Sequence, residues 1–234
     1  MASTSGAALD AFDAILFDND GVLVDTEPLF LQATRELLAT VGVALEARDY
    51  HDISMRHGRS VFDLASARGV SDEAIRTLRR RRDDRYAELI DEGVRVFEGV
   101  VETLTGLHGV RPLAIVTSSG REHFERIHRQ TGLTRFFEHI LTDGDYARQK
   151  PHPEPYLAAA RRLDVDPARC LVVEDTERGL RSARAAGMTC VVIPNALTAS
   201  GDFEAAQARL RSMTELIGWI GLGGSGPGSR AYGA

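Results

Sequence analysis

The chain has 234 residues and a formal net charge of -6, with 43% hydrophobic and 26% charged residues. These values are ordinary for a soluble globular protein of one substantial domain, or of a core domain with a smaller cap. The mild acidity argues against general nucleic-acid binding, which needs a basic surface, and gives no reason to expect attachment to anionic membranes.

The two chain ends carry no recognisable chemistry. Residues 1–10 are small and polar, and they lack the basic region and apolar core of a secretory signal. Residues 223–234 are rich in Gly and Ser, which predicts a flexible tail. No apolar stretch is long enough to span a bilayer. We therefore expect a cytoplasmic protein with no membrane partner.

Short apolar runs recur between these ends, at residues 14–17, 112–116, 139–141, 170–173 and 189–193. Such continuous runs are typical of strands buried on both faces of a sheet. Helical patterns at about 100–109, 120–132, 153–163 and 177–186 separate most of them. This alternation predicts an α/β fold with a doubly wound, parallel, Rossmann-like sheet. Cys170 and Cys190 have no metal-ligand spacing, which favours buried free thiols.

The stretch from residue 27 to residue 98 has a different character. It is helix-like and highly charged, with segments at 28–41, 60–67 and 71–91, and it contains no convincing strand. Ser71 suits a helix start. We interpret the stretch as a helical cap inserted after the first strand. The expected domains are a core of residues 1–26 and 99–222, a cap of residues 27–98 and the tail of residues 223–234.

Polar and charged residues follow four of the predicted strands. In open α/β sheets, ligands bind beyond the carboxyl ends of the strands. The residues at those ends are Asp18 and Asp20 after the first strand, Thr117, Ser118 and Ser119 after the second, Lys150 after the third, and Glu174 and Asp175 after the fourth.

Each of these features also has a purely structural interpretation. Asp20 and Gly21 could form a turn, and residues 117–119 could cap the next helix. Lys150 could be a solvated lysine, and Asp175 could be a helix N-cap. Their occurrence together, at four successive strand ends, favours an active site.

The residue types indicate metal-assisted phosphoryl transfer. Asp18 and Asp20 are two positions apart, so an extended backbone points both side chains the same way. Four carboxylates in one cleft resist simultaneous ionisation, and a divalent cation removes that difficulty. An all-oxygen ligand set suits Mg²⁺. Asp18 can then serve as the nucleophile, and Asp20 can exchange a proton with the leaving oxygen and with water.

These residues lie in four motifs that resemble those of the haloacid dehalogenase superfamily of phosphohydrolases. The motifs read FDNDGVLVD at 17–25, AIVTSS at 114–119, KPHPEPY at 150–156 and VVEDTERG at 172–179. Their order and the helical insertion resemble the subgroup that holds β-phosphoglucomutase and small-molecule phosphatases. The founding dehalogenases typically lack the second acid of the first motif, so the presence of Asp20 argues against dehalogenation.

The resemblance implies a role for each residue. Asp18 is expected to be the nucleophile and Asp20 the general acid and base. Mg²⁺ is expected on the Asp18 carboxylate, the Asp20 backbone carbonyl and Asp175, with Glu174 nearby or bound through water. Three residues are expected to bind phosphate: Thr117, Ser118 and Lys150.

Three further residues fall where the mutase contacts its substrate, namely Arg56 and Arg82 in the cap, and Ser119. Two departures weaken a mutase assignment. Phe30 replaces a cap histidine of the mutase, and Gly120-Arg121 replaces its Lys-Asn pair.

The first functional hypothesis is a Mg²⁺-dependent phosphatase of a small phosphorylated metabolite, such as a sugar phosphate, that acts through an aspartyl phosphate. The alternative is a β-phosphoglucomutase-like phosphosugar mutase. A non-catalytic binding module on this fold is disfavoured, because both Asp18 and Asp20 are present. The composition fits a monomer or a homodimer.

Overall fold

The central sheet is built from the short apolar runs of the sequence. In the computed structural model, which describes residues 9–222, six strands form one parallel sheet in the order β3-β2-β1-β4-β5-β6. The strands are β1 (Ala14–Phe17), β2 (Leu113–Gly120), β3 (His139–Asp143), β4 (Cys170–Glu174), β5 (Thr189–Val192) and β6 (Ala208–Arg209). The predicted α/β class and parallel sheet are confirmed. The predictions for residues 1–8 and 223–234 lie outside the described residues.

Both faces of the sheet are buried, as the continuous apolar runs require. Successive side chains of β1 alternate between the faces. Ile15 and Phe17 join one hydrophobic cluster, whereas Ala14 and Leu16 join the other. Cys170 and Cys190 are free and buried, as predicted.

Helices cover the sheet and form most of the segment between β1 and β2. They are α1 (Glu27–Ala39), α2 (Ala47–Tyr50), α3 (Asp63–Ser66), α4 (Asp72–Glu92), α5 (Val100–Leu107), α6 (Arg121–Thr131), α7 (Glu154–Leu163), α8 (Glu177–Ala185) and α9 (Met213–Trp219). A π-helical turn at His51–Arg56 follows α2. Ser71 caps α4, because its side chain accepts a hydrogen bond from the Ala74 N–H. The helix predicted at 60–67 is present only as the shorter α3. Strand β6 and helix α9 were not predicted.

Residues 27–98, here called the cap segment, have a hydrophobic cluster of their own between α1 and α4. The two chain passages into and out of the segment run side by side. The Asp25 N–H donates to the Arg95 carbonyl at 2.8 Å, and the Phe97 N–H donates to the Leu23 carbonyl at 3.1 Å. The domain boundaries given above remain predictions.

The strand order determines where polar side chains meet. β1 lies between β2 and β4, and Phe17 is in register with both Ile115 and Val173. The residues that follow these positions therefore meet at one edge of the sheet. This is also where the strand order reverses direction, the usual place for a ligand in an open α/β sheet. Within residues 9–222, no helix is long and apolar enough to cross a bilayer.

Candidate active site

The carboxyl ends of β1, β2 and β4 open into a cavity of about 450 Å³, a size that suits a small-molecule ligand. The sheet contributes Asp18, Asp20, Glu174 and residues 117–119 to its lining. Side chains from α1 and α4 of the cap segment line the opposite wall, and Lys150 reaches in from the loop before α7.

Lys150 is the centre of a buried ion-pair network. Its Nζ donates to Asp18 Oδ1 at 2.8 Å, to Glu174 Oε1 at 2.7 Å and to the Val116 carbonyl at 2.8 Å. Only 3% of the Lys150 side chain is exposed, so the alternative of a solvated lysine is wrong. Burial opposes the charge of Lys150, but the carboxylates of Asp18 and Glu174 outweigh burial and raise the lysine pKa. Burial likewise opposes the charge of Glu174, whose pKa Lys150 nevertheless lowers. The pair is therefore ionised.

The negative charges of Asp18 and Asp175 are less well compensated by nearby positive charge than that of Glu174. Burial raises the pKa of Asp18 to about 7, with Lys150 opposing and the charges of Glu174 and Asp20 adding to the rise. Burial, together with the charges of Glu174 and Asp18, holds the pKa of Asp175 well above its usual range. One carboxylate oxygen from each of Asp18, Glu174 and Asp175 lies within 4.8 Å of the others. This cluster would gain from a bound cation, and these residues are the candidate metal ligands.

Of the two carboxylate oxygens of Asp175, one accepts a hydrogen bond and the other has no partner among the described residues. Its Oδ2 accepts a hydrogen bond from Asn195 Nδ2 at 2.8 Å, whereas its buried Oδ1 has no partner among the described residues. Gly21 lies against the same carboxylate at a φ of +88°, and a Cβ there would come closer than 3.0 Å to Asp175 Oδ2. The turn considered for Asp20-Gly21 is therefore present, and the absence of a Cβ at Gly21 also leaves space for the Asp175 carboxylate. The N-cap of α8 is Thr176, so the N-cap interpretation of Asp175 is wrong.

Asp20 is held by three hydroxyl groups. Thr26 Oγ1 donates to its Oδ1 at 2.5 Å. Thr117 Oγ1 and Ser119 Oγ contact its Oδ2 at 3.0 and 2.8 Å. These hydroxyls do not cap α6, which begins after Gly120 without a side-chain cap. The Ser118 Oγ is buried and has no hydrogen-bond partner among the described residues, so it is available to a bound ligand.

The cap arginines occupy different places. Arg82 lines the cavity, its Nε donates to Asp83 Oδ1 at 2.8 Å, and its guanidinium lies 4.2 Å from the centroid of the Phe30 ring. Arg56 does not line this cavity. Its Nε lies 3.3 Å from Glu177 Oε2 on α8. The structure therefore brings Arg82 and Ser119 to the cavity, but it does not bring Arg56 there, and the expected substrate contact of Arg56 has no support in its position.

Four residues that sequence reasoning gave no role also shape the site. The Tyr156 hydroxyl donates to Glu174 Oε1 at 2.6 Å, and the Tyr50 hydroxyl donates to Glu27 Oε2 at 2.7 Å. Burial raises the pKa of Glu27 to about 7. Asn195, which binds Asp175, follows β5 by three residues, so the rule of polar residues after strand ends could have found it.

Comparisons with known proteins agree on one family. The sequence model described as haloacid dehalogenase-like hydrolase matches residues 12–187. The protein CbbY of Rhodobacter capsulatus is 34% identical over 215 residues, which cover 86% of this chain and 93% of CbbY. The fructose-1-phosphate phosphatase YqaB of Escherichia coli is 29% identical over 78% of this chain and 96% of its own.

A solved structure extends the comparison to the fold. A CbbY variant from Rhodobacter sphaeroides, crystallised in complex with xylulose-(1,5)bisphosphate, is 28% identical to this chain. The match covers 89% of this chain and 99% of that one, with a TM-score of 0.76.

Proposed function

This chain belongs to the haloacid dehalogenase-like hydrolase family, and we propose that it is a Mg²⁺-dependent phosphatase of a small phosphorylated carbohydrate that acts through phosphorylation of Asp18. The observation that carries the proposal is the meeting of Asp18, Asp20 and Lys150 around one cavity at the carboxyl edge of the sheet, with an oxygen of Asp175 within 4.8 Å of one of Asp18. Relatives named fructose-1-phosphate phosphatase and hexitol phosphatase support the substrate class.

The residues present fit a magnesium ion. Mg²⁺ prefers oxygen ligands and keeps several waters. The orphaned Asp175 Oδ1 and the carboxylate of Asp18 are hard oxygen donors in a buried cluster. These two residues would hold the ion, with the Asp20 backbone carbonyl, as the family resemblance implies. When bound, the ion supplies positive charge that offsets the phosphate and the carboxylates.

Asp18 performs the first bond change in this mechanism. An oxygen of its carboxylate attacks phosphorus, and the bond between phosphorus and the ester oxygen of the sugar breaks. The products of the step are an aspartyl phosphate and the sugar hydroxyl.

Asp20 moves the proton in both steps. It gives a proton to the departing sugar oxygen, and it then takes one from the water that attacks the aspartyl phosphate. Phosphate leaves and the Asp18 carboxylate is restored. A hydroxyl can donate to a carboxylate or accept from a carboxylic acid. The hydroxyls of Thr26, Thr117 and Ser119 around Asp20 therefore suit both of its protonation states.

The transferred phosphate has two kinds of partner. Lys150 supplies a buried positive charge that can shift from Asp18 to a phosphate oxygen while Glu174 continues to hold it. The unpartnered Ser118 Oγ and the Thr117 hydroxyl add neutral donors. A phosphoryl group placed here lies next to Asp18.

The alternative of a phosphosugar mutase meets an obstacle at the cap. Phe30 packs edge-on against Tyr86, with ring centroids 5.1 Å apart, and lies beneath Arg82. A phenyl ring offers no hydrogen bond to a sugar that must be held while it reorients. We therefore expect water to capture the aspartyl phosphate before a second sugar oxygen does.

A single assay separates the two functions. The enzyme is given Mg²⁺ and, in turn, fructose 1-phosphate, xylulose 1,5-bisphosphate, and β-glucose 1-phosphate with a trace of glucose 1,6-bisphosphate. Phosphorus NMR follows free phosphate and isomerised product together. We expect free phosphate to dominate with the best substrate and to be absent with Asp18→Asn. Conversion to glucose 6-phosphate with little free phosphate would favour the mutase, and no turnover of any compound would contradict both.

A further inference from the structure

Three cationic side chains line the active-site cavity among the described residues, and two of them already have partners. Lys150 lies between Asp18 and Glu174. Arg82 donates to Asp83 and rests on the Phe30 ring. The third is Arg178, for which the sequence analysis gave no role although it stands within the fourth motif.

The backbone of Arg178 is held in place by the turn between β4 and α8, which also positions Glu174. Arg178 is the second residue of α8. The N-cap of that helix, Thr176, accepts from the Gly179 N–H at 3.0 Å, and its hydroxyl donates to Glu174 Oε2 at 3.1 Å. The start of α8 thus cannot shift without disturbing Glu174, and Arg178 projects from a rigid support.

The side chain of Arg178 reaches across to the cap segment. Its Cδ and Nη1 both lie 3.4 Å from the point where a Cβ on Gly58 would stand, so the guanidinium lies close to the backbone of the cap segment. The Nε is buried and has no hydrogen-bond partner in the described part of the chain. No ion pair within 4.0 Å involves Arg178 among residues 9–222.

An unpaired guanidinium at a partly buried wall is unfavourable, because its donors lose water and gain nothing in return. The charge of Arg178 opposes the rise that burial produces in the pKa of Glu27, but the two residues form no ion pair within 4.0 Å. A planar fork of N–H donors is matched best by the oxygens of a phosphate or carboxylate. In the proposed mechanism, Lys150 and the hydroxyls of β2 already bind the phosphate that Asp18 attacks, so Arg178 is left for a different anionic group.

We propose that Arg178 binds a second anionic group of the substrate, so that the enzyme prefers carbohydrate phosphates carrying two anionic groups to those carrying one. The inference rests on the proposed phosphatase function and adds a specificity-determining residue from the core side of the cavity. The second group is a phosphate or a carboxylate, since either matches the guanidinium.

Matched ligand pairs test the proposal. Fructose 1,6-bisphosphate is compared with fructose 1-phosphate for a second phosphate, and 6-phosphogluconate with glucose 6-phosphate for a carboxylate. Each compound competes against p-nitrophenyl phosphate hydrolysis, which gives an inhibition constant whether or not the compound is itself hydrolysed. The variants are Arg178→Gln and Arg178→Lys. The control is Arg184→Gln, which removes the same charge from an exposed position of α8.

We expect the wild type to bind at least one compound with two anionic groups about tenfold or more tightly than its partner with one, as is typical of a hydrogen bond between charged groups. Arg178→Gln should bring that ratio close to one, Arg178→Lys should restore part of it, and Arg184→Gln should keep it. The pair that responds identifies the second group.

Three results would overturn the inference: no preference in the wild type, a preference that survives Arg178→Gln, or an equal loss of affinity for both members of a pair. In each case intact p-nitrophenyl phosphate hydrolysis by the wild type would leave the proposed function standing. Failure of the wild type to release phosphate from any compound would instead overturn the proposed function, and the substrate preference with it.

Discussion

Acidification should remove a stabilising contribution made by a histidine that lies beneath the nucleophile loop. His128 on α6 is buried. Its Nε2 lies 2.8 Å from Asn19 Oδ1, and its Nδ1 lies 2.9 Å from Thr131 Oγ1. Asn19 stands between Asp18 and Asp20 in the chain, so this contact supports the catalytic loop. Burial lowers the pKa of His128 to about 4, with only the charge of Asp20 opposing the shift.

The sign and size of the effect follow from proton linkage. The folded pKa of about 4 lies below the ordinary value of 6.5, so the unfolded chain binds more protons between these two pH values. The contribution of His128 to the free energy of unfolding must therefore fall as the pH drops from 6.5 to 4, and it must be constant above and below that window. At about 1.4 kcal/mol per pKa unit, the loss amounts to about 3 kcal/mol.

Urea unfolding of the wild type and of His128→Gln, at several pH values between 7.5 and 4, measures this loss. Glutamine cannot titrate, and its amide nitrogen can still donate to Asn19 Oδ1. Asp18 and Glu27 act in the opposite direction, because burial raises both of their pKa values to about 7, but they are present in both proteins and cancel in the difference. The stability advantage of the wild type should shrink by about 3 kcal/mol on acidification. An advantage that is independent of pH would refute a neutral buried His128.

Four further outcomes are expected. Asp18→Asn should abolish phosphate release without lowering the melting temperature, since burial opposes a charge at this position; near-normal turnover would contradict the nucleophile. EDTA should silence the enzyme and Mg²⁺ restore it, whereas full activity after chelation would argue against the metal. Gly179→Ala should lower the free energy of unfolding in urea by about 2 kcal/mol or more, because its Cβ would overlap the Glu174 carboxylate. Arg56→Ala should lower the free energy of unfolding by about 1–3 kcal/mol, because the buried carboxylate of Glu177 loses its ion-pair partner, and it should leave kcat/KM nearly unchanged, because this pair lies outside the cavity; a large rise in KM would contradict that placement.

The sequence was a good guide wherever a functional residue follows directly on a buried strand. Asp18 comes after four apolar residues that are buried on both faces, and a parallel sheet leaves such a residue only one edge to occupy. Glu174 ends a strand of the same kind. For these residues the apolar run determines the strand, and the strand determines the place of the next side chain.

Residues outside the sheet were harder to place, because the position of a residue in the chain does not determine the direction of its side chain. Arg56 ends a π-helical turn, its side chain pairs with Glu177 on α8, and its backbone carbonyl accepts a hydrogen bond from the Arg181 guanidinium. Arg178 was visible in the fourth motif, but its side chain lies close to Gly58 of the cap segment, and a motif does not predict such a contact between distant parts of the chain. β6 has only two residues, too few for a periodic pattern to appear.

Glu174 and Asp175, the two acids at the end of β4, look equivalent in the sequence, but their different hydrogen bonds indicate different roles. Glu174 is saturated: Lys150 and Tyr156 donate to its Oε1, while Thr176 and the Asp175 N–H donate to its Oε2. The Thr176 N–H also donates to Oε2, so five hydrogen bonds reach this carboxylate, which gains little from a metal and much from holding Lys150 in place. Asp175 keeps a buried oxygen without a partner in the described part of the chain, and an unsatisfied buried acceptor is costly. Glu174 is therefore best suited to position the lysine, and Asp175 to bind the cation.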